Sequence, residues 1–215
     1  AVLKDLVEEI AFAARDSEFV DKKSGVSARL SISAFENLYS TAERRMLLND
    51  EKSTTARITD FWGVIPALTG KVEMVYEGEQ EGPHAVALNI IGTALKKVFL
   101  QYFPNPVKLK RGQERDPYGT IKAWFSAGNV VDLMTDAGGK KFLAELDGIA
   151  GLKKMAETVK ADDSELYTYM ELCLHGLAEF EVLSKEFIQT KWVFKDFLSG
   201  NLKDDTDDDM RDLFN

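Results

Sequence analysis

Apolar residues three and four positions apart, repeated over most of the chain, constrain its fold more than any other feature. In residues 2–14, Leu3, Leu6, Val7, Ile10 and Ala14 follow this spacing, with Lys4, Asp5, Glu8 and Glu9 between them. A period near 3.6 puts the two sets on opposite faces of a helix, which should end near Asp16–Ser17. A second helix follows a turn at Ser24–Gly25, with Phe35, Leu38, Tyr39, Ala42 and Met46 on one face. Its start has two readings: Ser33 with Glu36 forms a capping box, or Ser27 caps the helix earlier.

Residues from Thr59 read as a brief helix limited by Pro66. Residues 83–102 read as a long, mostly apolar helix through Val86, Ile90, Ile91, Leu95, Val98 and Phe99. Helical spacing returns in 120–134, 140–159 and 163–187, where Leu166, Met170, Cys173, Leu177 and Phe180 form one stripe. Extended structure is signalled once, where Val72, Met74 and Tyr76 alternate with Lys71, Glu73 and Glu77. The expected fold class is therefore all-α, a multi-helix bundle with at most a short strand or hairpin near residues 71–77.

The stretch FPNPVKLKRGQERDPYG, residues 103–119, interrupts the helical pattern with three prolines and two glycines. It divides a helical domain, 1–104, from a helical extension packed on it, 105–202. The last residues, 203–215, hold six aspartates and read as a disordered acidic tail.

A net charge of −9 speaks against a general nucleic-acid binder, because duplex affinity rests on Lys and Arg displacing counterions from phosphates. No uncharged apolar stretch approaches the ~18 residues of a membrane span, and the acids and lysine of AVLKDLVEEI are unlike a secretory signal. The single cysteine, Cys173, has no intramolecular partner, so a reducing cytoplasm is expected. The chain opens in a helical pattern without an initiator methionine, as an excised piece of a longer protein would.

Signs of independent catalysis are few. The Gly-Lys pairs at Gly70 and Gly139 are followed by Val72 and Lys141, and the upstream glycine positions of a P-loop hold Ile65 and Met134. Cys173 and His175, two apart on a helix, point roughly 200° from each other. Glu171, His175 and Glu179 share a stripe that a bundle metal site can use, but a second carboxylate–histidine helix is missing. A solvated polar face is the expected role, with no metal ligand and no catalytic residue assigned. Trp62, Trp124 and Trp192 suit core or interface anchoring.

The stretch SGVSARLSISAFENLYSTAERRMLLNDEKSTTARITDF, residues 24–61, resembles the helical lid of AAA+ ATPases of the MoxR and magnesium-chelatase branch. Gly25, Ser27 and Arg29 fit the small-residue turn and arginine that open the lid helix there. Ala42 to Arg45 fit its basic end, and Ile58, Thr59 and Asp60 fit the start of the next helix, Asp60 coming one residue sooner than usual. DFWGVIPALTGKVEMVYEGEQEG and ELYTYMELCLHGLAEFEVLSKE are similar to the C-terminal part of bacterial chelatase-like AAA+ proteins.

The resemblance implies a lid whose P-loop, acidic ATPase motif and arginine finger lie in an upstream core, the expected partner. ATP and Mg would belong to that full-length parent, a ring homo-oligomer, and no cofactor to this chain. Arg29 matches the sensor 2 arginine, which reaches the γ-phosphate of ATP in the core. A guanidinium suits that task because it stays charged and donates several hydrogen bonds. Arg44 and Arg45 suit the carbonyl end of a helix on charge alone, and in a ring either is also placed to contact a neighbouring subunit. The alternative is a non-enzymatic helical interaction module, its acidic surface recruiting a basic protein partner.

Overall fold

The computed structural model describes residues 1–23, 25–108, 116–159, 165–188 and 190–198. Helix α1 (Val2–Asp16) forms as its periodicity requires, burying Val2, Leu6, Val7, Ile10 and Ala14. It packs along α5 (Pro83–Tyr102), whose phenol at Tyr102 donates to Asp5 Oδ2 at 2.9 Å. Between them in sequence lie α2 (Leu30–Leu48), a 3-10 segment (Ile58–Val64), α3 (Ile65–Thr69) and α4 (Tyr76–Glu81). The brief helix expected from Thr59 is thus split in two. Pro66 opens α3 in its first turn, where a missing N–H costs nothing.

After α5 come α6 (Gly119–Ser126), β1 (Val131–Met134), α7 (Gly139–Asp147), α8 (Leu152–Ala156) and α9 (Leu166–Glu179). The chain then forms a hairpin of β2 (Leu183–Ile188) and β3 (Lys191–Asp196), and β1 joins it in an antiparallel sheet of order β1-β3-β2. The fold class is as expected: mostly helical, with one small sheet. The sheet, however, lies outside residues 71–77, with β1 and most of β2 where the spacing reads as helical and β3 beyond those stretches. Residues 72–74 contribute only isolated bridges, Val26 to Val72 and Val20 to Met74, which pair the α1–α2 connection with the stretch before α4.

For the hairpin, the reason lies at the end of α9. Glu181 turns into the left-handed region at φ 58°, and the Val182 N–H returns to the Leu177 carbonyl at 2.9 Å. This is a Schellman ending, normally announced by glycine. With glutamate in that position, the sequence shows no stop, and helical spacing runs on past Phe180.

Helix α9 is buried on every side from Tyr169 to Leu177, held among α5, α7, α8, β2 and the 3-10 segment. Gly176 permits this, since a Cβ there would collide with the Phe99 ring of α5. The solvated polar face expected for Glu171 and His175 is therefore overturned: both are 2% exposed. Buried side chains from Val2 to Phe194 belong to one hydrophobic cluster, with Leu95 before the 105 boundary and Ile121 after it. The tail, 203–215, and residues 109–115 of the proline-rich stretch lie outside the described residues.

Candidate functional site

Helix α2 begins beside a tight turn. The Gly25 N–H donates to the Asp21 carbonyl at 2.9 Å, and a Cβ on Gly25 would collide with that oxygen, so only glycine fits. Ser27 Oγ accepts the Arg29 N–H at 3.2 Å, and the Leu30 N–H donates to the Ser27 carbonyl at 3.0 Å. The helix starts at Leu30 with Arg29 at the N-cap and no side-chain cap bond, so neither Ser27 nor Ser33 is the cap, and the start falls nearer the earlier reading. Ser33 lies inside the helix. The Arg29 side chain is exposed and, among the described residues, has no hydrogen-bond or salt-bridge partner.

Helix α2 buries Leu30, Ala34, Leu38, Ala42 and Arg45. Two members of the expected apolar face, Phe35 and Tyr39, instead point outward, 37% and 50% exposed, with Ile32 at 60%. Their outward stripe runs on from Arg29. With Val7, Lys4 and Glu8 of α1, Ile32 and Phe35 line a shallow groove of about 340 Å³.

At the other end of α2 the two adjacent arginines diverge. Arg44 stays at the surface and donates to Asp136 Oδ1 at 2.8 Å, fastening α2 to the β1–α7 connection. Arg45 is 1% exposed, which takes it out of reach of a neighbouring subunit. Its Nη2 and Nε donate to the two Asp60 oxygens at 2.9 and 3.3 Å, Nη1 to Thr54 Oγ1 at 2.8 Å, and Nη2 also to the Thr55 carbonyl at 2.9 Å. A planar fork with several donors is what such a buried site needs.

Asp60, fully buried, also accepts the Arg57 N–H at 2.8 Å. The Arg57 guanidinium lies 3.9 Å above the Phe142 ring centroid and donates to the Ala137 carbonyl at 2.8 Å. Burial, then the nearby Arg45 charge, lowers its pKa to about 10, so it stays charged at neutral pH.

Glu171 of α9 completes the cluster. Its carboxylate accepts the Ile58 N–H at 3.1 Å, the Thr59 N–H at 2.9 Å and the Thr59 hydroxyl at 2.7 Å. These N–H groups open the 3-10 segment and have no partner within it, so a carboxylate there satisfies donors that would otherwise be orphaned. Burial raises the Glu171 pKa to about 7, against the opposing pull of the Thr59 hydrogen bonds. The motif residues Arg45, Ile58, Thr59 and Asp60 thus converge on one lock that joins α2, the 3-10 segment and α9.

Beside the lock is a cleft of about 640 Å³ whose lining includes Glu51, Lys52, Thr55, Arg57 and Lys140. Glu51 Oε1 accepts the Gly139 N–H at 2.6 Å, which occupies the first turn of α7. The Glu171–His175–Glu179 stripe does not act as one site. Glu171 belongs to the lock, His175 sits edge-on to Trp192 and Phe194, and Glu179 pairs with Lys185. Among the described residues no group of three or more His, Cys, Asp or Glu could hold a metal ion, and no helix is long and apolar enough to cross a membrane.

Arg57 and Glu171 were not singled out as partners by the sequence reading. A signal did exist: Asp60 in ITDFW and Glu171 in YMELCL are lone charges within apolar runs, a setting that demands a buried partner. Comparisons with protein-family models, curated proteins and solved structures return no match for this chain.

Proposed function

We propose that this chain is the C-terminal helical region, lid and extension, of a chelatase-like AAA+ ATPase. In this reading it couples the state of ATP in an upstream core to lid motion and to remodelling of a partner. It supplies no catalytic group; ATP and Mg belong to the parent, which works as a ring homo-oligomer.

The observation that carries this reading is the outer face of α2. Arg29, without a partner among the described residues, stands at the mouth of the helix, and Ile32, Phe35 and Tyr39 continue from it along an uncovered apolar stripe. A helix with one apolar face in its own core and a second in solvent has a further surface to meet. The cation at its start suits an anion on that surface, and the helix N-terminus adds to the attraction. The Arg45–Asp60–Glu171 lock fixes the other end of α2 to α9, so a pull on Arg29 carries the bundle with it as one body.

Two observations test the proposal. The complete reading frame should encode GxxxxGK[ST] upstream of Ala1; without it the α2 face is a docking surface for a separate protein, the alternative reading. In the full-length protein Arg29→Ala should lower ATP turnover by about tenfold or more, the loss expected for charge-assisted hydrogen bonds. Unchanged turnover would remove Arg29 from the mechanism.

A further inference from the structure

Among the described residues, the buried side-chain nitrogens and oxygens without a hydrogen-bond partner are Trp62 Nε1, Trp192 Nε1 and both ring nitrogens of His175. All three residues line the same cavity of about 400 Å³. Buried polar atoms are nearly always paired, and leaving one unpaired is costly. That the three residues which carry these nitrogens all line one cavity, with the nitrogens just behind its wall, points to something the cavity takes up.

The walls are aromatic and aliphatic. Phe61 and Trp62 come from the 3-10 segment, Leu88 and Ile91 from α5, and Phe187 and Trp192 from the hairpin. The Phe187 ring lies between the two indoles, with centroids 4.8 Å from Trp192 and 6.3 Å from Trp62, its plane 24° from that of Trp62. It is 37% exposed, so this aromatic layer reaches the surface. Glu179 and Lys185 also line the cavity but pair with each other, with Lys185 Nζ 4.9 Å over the Trp192 ring. His84 stands at the exposed edge. Burial holds His175 neutral, its pKa well below the ordinary 6.5. The interior therefore offers flat apolar surfaces, two indole N–H donors and the one donor and one acceptor of a neutral imidazole, and no unpaired charge.

We propose that this cavity binds a small, uncharged, planar aromatic molecule bearing hydrogen-bond acceptors, stacked among Trp62, Phe187 and Trp192, with its acceptors on the indole N–H groups. The volume falls at the small end of ligand sites, which run from roughly 300 to 1,000 Å³, and suits a molecule of about two fused rings. The orphaned nitrogens are closed to water, so a molecule that parts the rings is what reaches them. The site lies away from Arg29 and does not depend on the lid reading.

The test is a titration of the ¹⁵N-labelled chain with coumarin, a neutral two-ring molecule with carbonyl and ring-oxygen acceptors, and with naphthalene, which has none. Trp124, outside the cavity, gives the third indole N–H signal and serves as an internal reference. Coumarin should shift the Trp62 and Trp192 signals saturably, leave Trp124 in place, and bind about tenfold more tightly than naphthalene, as one or two added hydrogen bonds allow. Phe187→Ala, at a partly exposed position, should weaken coumarin binding several-fold. Absence of a saturable shift, equal shifts at all three indoles, or unchanged binding by the Phe187 variant would overturn the site. Naphthalene binding as tight as coumarin would overturn the acceptor requirement.

Discussion

Asp60 holds three donors at once, two from the Arg45 guanidinium and one from the Arg57 backbone, with no surface exposed to water. Removing the carboxylate strands a buried cation, which costs on the order of 3–5 kcal/mol. Asp60→Ala should therefore lower the urea midpoint far more than Arg44→Ala, whose ion pair with Asp136 is surface-exposed and worth about 0–1 kcal/mol. Equal losses would mean that the lock is not where stability resides. Glu171 makes a separate prediction, in pH. Its proton is bound more tightly in the folded chain, with a pKa near 7, than at the ordinary value of 4.5. The folded state thus holds more protons than the unfolded state between these limits, and the stability Glu171 contributes at low pH is lost as pH rises through them. The loss amounts to roughly 3 kcal/mol, at about 1.4 kcal/mol per pH unit. Glu171→Gln retains an acceptor and should abolish this fall. Comparing urea midpoints of variant and parent at pH 5 and pH 8 cancels the opposite trend from His175, whose burial keeps it neutral. Parallel changes in the two proteins would contradict the assignment.

At the scale of elements, two glycines set how closely helices meet. A Cβ at Gly176 would strike the Phe99 ring, and one at Gly92 would strike the Glu179 carboxylate. An aromatic ring in a packed core has nowhere to go, whereas a carboxylate at the end of a flexible chain can swing away. Gly176→Ala should cost about 1–3 kcal/mol by overpacking, and Gly92→Ala less; thermal melts of the two variants would check the order. These elements also mark what sequence reasoning reaches. α1 and α5 were legible because each has a regular apolar face to bury. The β2–β3 hairpin was not, because Glu181 ends α9 in a conformation that glycine usually signals. The exposure of Phe35 and Tyr39 was likewise hidden, since periodicity reveals that residues share a face but not whether a neighbour covers it. The lock was half legible: its motif residues stood out, but Glu171 reaches Thr59 across 112 positions that local spacing does not connect.

For the whole molecule, the lock and the open face of α2 divide the labour. Arg45, Asp60, Arg57 and Glu171 bind α2 to α9, and Arg29 with Ile32 and Phe35 faces outward from that fixed frame. Ile32→Ser and Phe35→Ser should leave the stability of this chain within about 0.5 kcal/mol of the parent, as surface changes do; the proposed lid role predicts that they weaken nucleotide-dependent coupling in the full-length protein. The most direct test of the lid reading is the affinity of the full-length Arg29→Ala protein for ATP and for ADP. Contact with the γ-phosphate predicts ATP binding weakened by about tenfold or more with ADP binding unchanged. Equal weakening of both, or no change in either, would contradict it.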